Sequence, residues 1–366
     1  MKLFECQNCG ALVHFTNTAC VTCGYRLGFV AESCSISAVV QKDNRWTTLA
    51  QPSGTYFFCD NAADGVCNWL IEDGSPYSFC RACRHNRTIP DLTIPVNWTN
   101  WAKLEAAKRQ LFYSLLRWNL PMPDREDDAA NGLVFDFLAD TVASDGTLEK
   151  NLTGHDNGVV VMNIAEADDA ERERRRGMMH EPYRTLLGHF RHEVGHYYWD
   201  RLVRDGGRLE EFRALFGDES VDYAAALHQH YQNGAPGDWP TRFISSYASS
   251  HPWEDFAECW AHYTHIVDAL ETARAFGVAI DSPAPAASKL SMRLDFDPYR
   301  SGETIDLVGA LVPLTVAINS VNRSMGQPDF YPFVLSQPVI EKLAFIQGLI
   351  RPFGEPARAK SARAGQ

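Results

Sequence analysis

The chain has 366 residues, of which 45% are hydrophobic and 22% charged, a globular composition that excludes a mainly disordered protein. Its net charge of −12 argues against a general attraction to nucleic acid phosphates. We therefore do not expect nucleic acid as a partner. The longest uncharged apolar run, Leu307–Ile318, is too short to span a bilayer and contains Pro313, so we do not expect a membrane as partner either. The sequence indicates no particular oligomeric state.

Cysteines are concentrated at the start of the chain, where nine of the ten precede residue 84. The first residues, Met1–Cys9, lack the uninterrupted apolar stretch of a secretory signal, so we expect a cytoplasmic protein. In that compartment cysteines in such a cluster are more often metal ligands than disulfides.

Two groups of four cysteines have the spacing of zinc ribbons. The first consists of two Cys-x2-Cys pairs, each followed by a glycine, Gly10 or Gly24, that allows the tight turn around a metal. The second ends in one such pair, while disulfides or unpaired core cysteines are the alternatives at both. We expect two structural zinc sites, formed by Cys6, Cys9, Cys20 and Cys23 and by Cys59, Cys67, Cys80 and Cys83, with Cys34 free.

Short β-rich runs at 36–50 and 54–58 are typical of ribbons that lack a large core and that metal holds folded. The Pro-punctuated stretch Thr88–Pro95 predicts a connection to a second domain. Beyond it, helical periodicity begins at Asn97, and 132–138 predicts a strand. A second strand is predicted at 158–164, after a turn at 154–157. It is either an edge strand that pairs with a peptide or an ordinary buried strand.

The stretch His192-Glu-Val-Gly-His196 has the zinc-protease pattern, because residues four apart share one face of a helix. We predict that this helix runs from about Glu181 to Arg204. Two histidines need a third protein ligand, and the metzincin pattern fails because Leu202 stands where its third histidine would be. A second helix, predicted from Pro252 to about Phe276, offers two carboxylates one turn apart.

Those carboxylates, Glu254 and Glu258, with Tyr247 seven residues before the first, complete a pattern similar to the catalytic domain of anthrax lethal factor and related gluzincin metallopeptidases. The whole chain also resembles an uncharacterised bacterial family of zinc-binding metallopeptidases with N-terminal zinc ribbons. The resemblance implies Glu254 as third zinc ligand, Tyr247 as a tyrosine at the metal site, and Glu258 as an acid outside the ligand set. The shared spacing leaves open that Glu254 and Glu258 exchange these roles.

In the chemistry expected of this site, zinc activates a water molecule and Glu193 acts as general base and then acid. Tyr247 would donate a hydrogen bond to the developing oxyanion, and Glu258 would hold His192 or His196, with His192 the preferred partner. The alternative for Tyr247 is a packing tyrosine, and the alternative for Glu254 is a surface acid at the start of a helix. Pocket or core positions are expected for His189, His262, His265, Cys259 and the aromatic run Tyr197, Tyr198 and Trp199.

After a linker at Ser282, two apolar helices are predicted at 304–325 and 337–350, followed by a disordered tail. We therefore expect an α+β protein with a zinc-ribbon module at 1–95. A mostly α, zincin-like (gluzincin) metallopeptidase domain with a small sheet would occupy 96–350, and the tail 351–366. The predicted function is zinc-dependent hydrolysis of a peptide or protein substrate, with one catalytic and two structural zinc ions. The alternative is a ribbon-based protein-binding or adaptor protein with an inactive peptidase-like domain.

Overall fold

The computed structural model describes residues 1–142, 148–149, 151, 153–179, 184–281, 290–300 and 302–354. Within these residues the chain is α+β, with strands dominating the cysteine-rich part and helices the remainder. The strands are β1 (Phe4–Glu5), β2 (Leu12–Val13), β3 (Leu27–Val30), β4 (Ser35–Lys42), β5 (Arg45–Thr48), β6 (Thr55–Phe58), β7 (Leu70–Glu72), β8 (Asn86–Thr88), β9 (Val134–Leu138), β10 (Thr141–Val142), β11 (Leu148–Glu149), β12 (Gly154–Asp156), β13 (Val159–Asn163), β14 (Ala279–Ile280) and β15 (Met292–Arg293). The helices are α1 (Pro95–Trp118), α2 (Asp169–Met179), α3 (Leu186–Tyr198), α4 (Leu209–Phe216), α5 (Tyr223–Asn233), α6 (Pro252–Ala275), α7 (Thr304–Ser324) and α8 (Gln337–Gly354).

The N-terminal part contains the hairpin β1–β2 and a five-stranded antiparallel sheet in the order β3-β4-β5-β6-β7. The runs predicted to be β-rich at 36–50 and 54–58 fall on β4, β5 and β6. The expectation that this part lacks a large core is wrong. Phe15, Phe29 and the fully buried Trp69 pack together, and Tyr113 of α1 lies 5.6 Å from the Phe15 ring centroid. The ribbon therefore shares its core with α1.

A second sheet, in the order β12-β13-β9-β8, lies beside the helices of the C-terminal part. β9 pairs in parallel with β13 on one side and with β8 on the other. The predicted strand at 158–164 corresponds to β13, whose two edges are both occupied. The predicted turn at 154–157 is wrong at its start, because Gly154–Asp156 forms β12, the strand at the edge of the sheet. The N-terminal part supplies β8, so the sheet crosses the boundary predicted near residue 95.

Helices α3 and α6 pack closely against each other. Gly195 permits this approach, because a Cβ atom there would lie 3.0 Å from Ala257 Cα. α3 begins after Thr185, whose hydroxyl oxygen accepts a hydrogen bond from Gly188 N at 2.9 Å. The described helix thus starts later than Glu181, a position outside the described residues. After Tyr198 it continues as a π-helical turn, Trp199–Arg204.

The two C-terminal helices, α7 and α8, pack around α6. Among the described residues, α7 alone is long and apolar enough to cross a bilayer, but core helices of globular proteins meet the same criterion. Leu307, Leu311 and Leu314 on its inner face are buried. α8 extends to Gly354, so the first residues of the predicted tail are helical. The rest of that tail and the predicted linker at 282–287 lie outside the described residues.

Candidate active site

Three donor atoms converge where α3 faces α6. His192 Nε2 lies 2.9 Å from Glu254 Oε2, and His196 Nε2 lies 3.4 Å from the same oxygen. One ligand atom from each of the three residues lies within 4.8 Å of the others. All three side chains are nearly inaccessible to solvent. Two imidazoles and one carboxylate make up a protein ligand set typical of catalytic zinc, so these donors fit that ion.

Glu258 lies one helical turn beyond Glu254 and contacts the opposite nitrogen of the first histidine. Its Oε1 is 2.8 Å from His192 Nδ1, and its Oε2 accepts a hydrogen bond from the Ser245 hydroxyl at 2.6 Å. Burial opposes ionisation, but His192 and Ser245 lower the pKa of Glu258 to about 2. Glu254 thus lies near the Nε2 atoms of both histidines, whereas Glu258 contacts the other ring nitrogen of His192.

Glu193 follows His192 directly and lines a cleft of about 470 Å³ together with His192 and Glu258. Its side chain is buried, and burial raises the pKa of the carboxyl while His192 and His196 oppose that shift. A carboxyl group capable of proton transfer therefore lines the same cleft as His192.

Of the three tyrosines that line this cleft, Tyr223 and Tyr247 lie beside the proposed ligands. Tyr247 lies in a 3-10 turn and its ring centroid is 5.9 Å from that of His192, whereas Tyr223 donates a hydrogen bond from its hydroxyl to Glu254 Oε1 at 2.5 Å. Neither Tyr223 nor Ser245 belongs to a motif that is recognisable in the sequence. Tyr223 belongs to α5 and has no motif spacing to Glu254, so only the fold brings them together.

His196 is held in place by aromatic neighbours. The ring of Trp253 lies 3.7 Å from the His196 ring centroid, and His155 from the edge strand β12 stacks at 6.2 Å. Among the described residues His196 Nδ1 is buried without a hydrogen-bond partner. Aromatic packing therefore holds this imidazole, with no hydrogen bond at Nδ1 to assist it.

The remaining candidates occupy cleft or core positions. His189 contacts Glu166 at the cleft wall, and His262 Nδ1 lies 2.9 Å from the Tyr331 hydroxyl. Cys259 is buried with its thiol 3.5 Å from Asp255 Oδ1. The side chains of Tyr197, Tyr198 and Trp199 are buried, as expected of core residues.

The eight predicted ribbon ligands form two separate groups. Ligand atoms within each group lie within 4.8 Å of one another, and the groups are Cys6, Cys9, Cys20 and Cys23, and Cys59, Cys67, Cys80 and Cys83. Gly10 and Gly24 have φ of 72° and 76° at the predicted tight turns. Backbone amides approach the sulfurs of the second group, where Cys80 N lies 3.4 Å from Cys59 Sγ. Cys34 belongs to neither group. Four thiolates in a tetrahedral arrangement are typical of structural zinc.

The second cysteine group is linked to the C-terminal part. Cys83 Sγ lies 3.7 Å from Glu105 Oε2 of α1, and Glu105 also pairs with the buried Lys108 at 2.8 Å. His85, two residues after Cys83, hydrogen-bonds Leu133 O at 2.7 Å, just before β9. This metal group is therefore built into the common core.

Comparisons with known proteins match both parts of the chain. Residues 97–349 match a family described as "Putative zinc-binding metallo-peptidase", and residues 3–94 match a zinc-ribbon domain. The comparisons do not bear on the resemblance to anthrax lethal factor, which stays a prediction. No solved structure matches the chain.

Full-length relatives include an uncharacterized protein of Mycobacterium bovis and two uncharacterized proteins from strains of Mycobacterium tuberculosis. Each is 39% identical in an alignment that covers 98% of this chain and 99% of the relative. With the family match spanning more than half of the sequence and the buried donor set in place, the chain belongs to this family of zinc-binding metallopeptidases, with a zinc ribbon at its N-terminus.

Proposed function

We propose that the protein hydrolyses peptide bonds, using a zinc ion held by His192, His196 and Glu254 and using Glu193 as general base. The observation that carries this proposal is the convergence of the three donor atoms within 4.8 Å, beside a cleft that His192 and Glu193 line. Zinc bound there would polarise the scissile carbonyl and lower the pKa of a water molecule.

The side chains of this chain divide the remaining work. Glu193 accepts the proton of the attacking water and passes it to the leaving amine. Glu258 accepts a hydrogen bond from His192 Nδ1, which leaves the lone pair of Nε2 available to bind the metal. Tyr247 faces the same cleft, and we propose that its hydroxyl stabilises the oxyanion that forms on the substrate. The aromatic packing around His196 keeps the second ligand from rotating.

Metal content and cleavage together test the proposal. We expect three zinc ions per chain, and two in His192→Ala. Glu193→Gln should keep all three while cleavage of a peptide library falls by at least about a hundredfold. An unchanged zinc content in His192→Ala would refute the ligand assignment. Cleavage that survives Glu193→Gln would refute the role of Glu193.

The alternative function is protein binding by the ribbon with an inactive peptidase-like domain. The two functions differ in one measurement. A zinc-loaded protein that cleaves no member of a broad peptide library, yet retains a partner through residues 1–94, would favour the alternative.

A further inference from the structure

Helix α5 presents its apolar face to the cleft instead of to a protein core. None of its residues is buried, although Tyr223, Leu227 and Tyr231 recur every four residues and so share one face. All three line the cleft, and 39% of Tyr223 and 63% of Tyr231 remain exposed. An apolar helix face that borders a cleft in this way is typical of a ligand-binding groove.

Other apolar groups complete this section of the cleft. Tyr247, Ala261 and Phe333 line it with the α5 residues. His230, also on α5, lies 6.1 Å from the Tyr247 ring centroid, so the helix stays close to the 3-10 turn that carries this tyrosine. The resulting pocket is bounded by three phenol rings and a phenyl ring. Its aromatic surface suits a bulky apolar side chain.

The position of this pocket relative to the proposed metal site is fixed by a direct contact. The Tyr223 hydroxyl donates to Glu254 Oε1 at 2.5 Å, and Asp222 caps the start of α5 by accepting from Ala225 N at 2.9 Å. A side chain resting against this face therefore belongs to a residue close to the bond beside the metal, rather than to a distant part of a peptide.

Arg184 is the one arginine or lysine among the described residues that line the cleft. Arg184 lies 3.7 Å from Glu166, which also contacts His189. An acidic substrate side chain would lose its hydration against the tyrosines, and the arginine of the lining already contacts Glu166. The apolar face of α5 should thus favour an uncharged substrate side chain, because burying it costs less free energy than burying a charged one.

We infer that α5 is a specificity element that selects peptides with a bulky apolar residue, aromatic above all, next to the scissile bond. The inference rests on the proposed peptidase function. Tyr223, Leu227 and Tyr231 provide the selecting surface. Burial of a phenylalanine side chain instead of a serine should favour binding by at least about tenfold.

The test uses blocked heptapeptides of glycine and alanine with one central Phe, Leu, Ser or Asp. Their binding to zinc-loaded Glu193→Gln protein is measured by calorimetry, and their kcat/KM is measured with the otherwise unaltered protein. The selective variants are Leu227→Ser and Tyr231→Ser. The matched control is Gln229→Ala, an exposed residue on the opposite face of the same helix. Zinc content and thermal unfolding verify that each variant is folded.

We expect the Phe peptide to bind at least about tenfold more tightly than the Ser peptide, and this ratio to fall several-fold in Leu227→Ser and Tyr231→Ser but not in Gln229→Ala. Equal binding of Phe and Ser peptides, no peptide binding at all, or a ratio preserved in both serine variants would overturn the inference. Selective binding without any cleavage would support the pocket while refuting the proposed peptidase function, so the two failures are distinguishable.

Discussion

Replacement of Glu258 tests whether the contact behind His192 controls metal affinity. Both carboxylate oxygens are used, one by His192 Nδ1 at 2.8 Å and the other by the Ser245 hydroxyl at 2.6 Å. Loss of such an outer partner typically weakens metal binding 10- to 100-fold, or by about 1.4 to 2.7 kcal/mol. We expect Glu258→Gln near the lower limit, because its amide oxygen still accepts from the imidazole. Glu258→Ala should lie near the upper limit, because it leaves buried donors without an acceptor.

The assay is zinc competition with a chromophoric chelator, read together with total zinc content. The ribbon sites serve as an internal control, since their thiolates give cobalt(II) intense charge-transfer bands that a His2Glu site lacks. Those bands should be unchanged in both variants. An unaltered zinc affinity at the site of His192, His196 and Glu254 in the Glu258→Ala variant, with the fold intact, would refute the reasoning that Glu258 orients His192.

Three further outcomes are expected. Tyr223→Phe should weaken zinc binding to His192, His196 and Glu254 about fivefold, because a hydrogen bond to Glu254 of about 1 kcal/mol is lost. An unchanged zinc affinity in chelator competition would show that this hydrogen bond does not support the site. Cys80→Ser, at a fully buried sulfur, should remove one zinc and destabilise the whole chain by about 4 kcal/mol or more, whereas the exposed Cys9→Ser should cost less in the same thermal unfolding experiment. Burial lowers the pKa of His262 from 6.5 to about 4, so between these values the unfolded chain binds a proton that the folded chain does not. The contribution of His262 to stability should therefore fall as pH falls, by about 2 kcal/mol between pH 7 and 4.5, and His262→Gln should show a shallower dependence in pH-dependent denaturant unfolding.

The sequence was most informative where chemistry imposes a fixed spacing. His192 and His196 must share a helix face, and Cys-x2-Cys pairs must turn around one ion, so both patterns can be recognised in the sequence without knowledge of the fold. Glu254 was indicated by the resemblance, because the spacing alone left it exchangeable with Glu258.

Residues whose roles depend on distant packing were not predictable in this way. Tyr223 reaches Glu254 only because α5 lies across the cleft, and no periodicity marks that arrangement. Likewise β12 was read as a turn, because Gly154 and Asn157 are turn formers and tertiary pairing with β13 overrides this local preference. The shared core around Trp69 was missed because the short β runs of the ribbon suggested a module too small to bury it.

The pairing of β8 with β9 also affects the order in which the protein can be built. Residues 86–88 are synthesised before their partner strand at 134–138, so this edge stays without its ladder until about fifty more residues have been added. A truncated protein that begins at residue 97 would lack β8 permanently. It would leave β9 with an open edge and uncover the α1 surface that packs against Phe15 and Phe29. The boundary between the two family matches therefore does not separate two independent folding units.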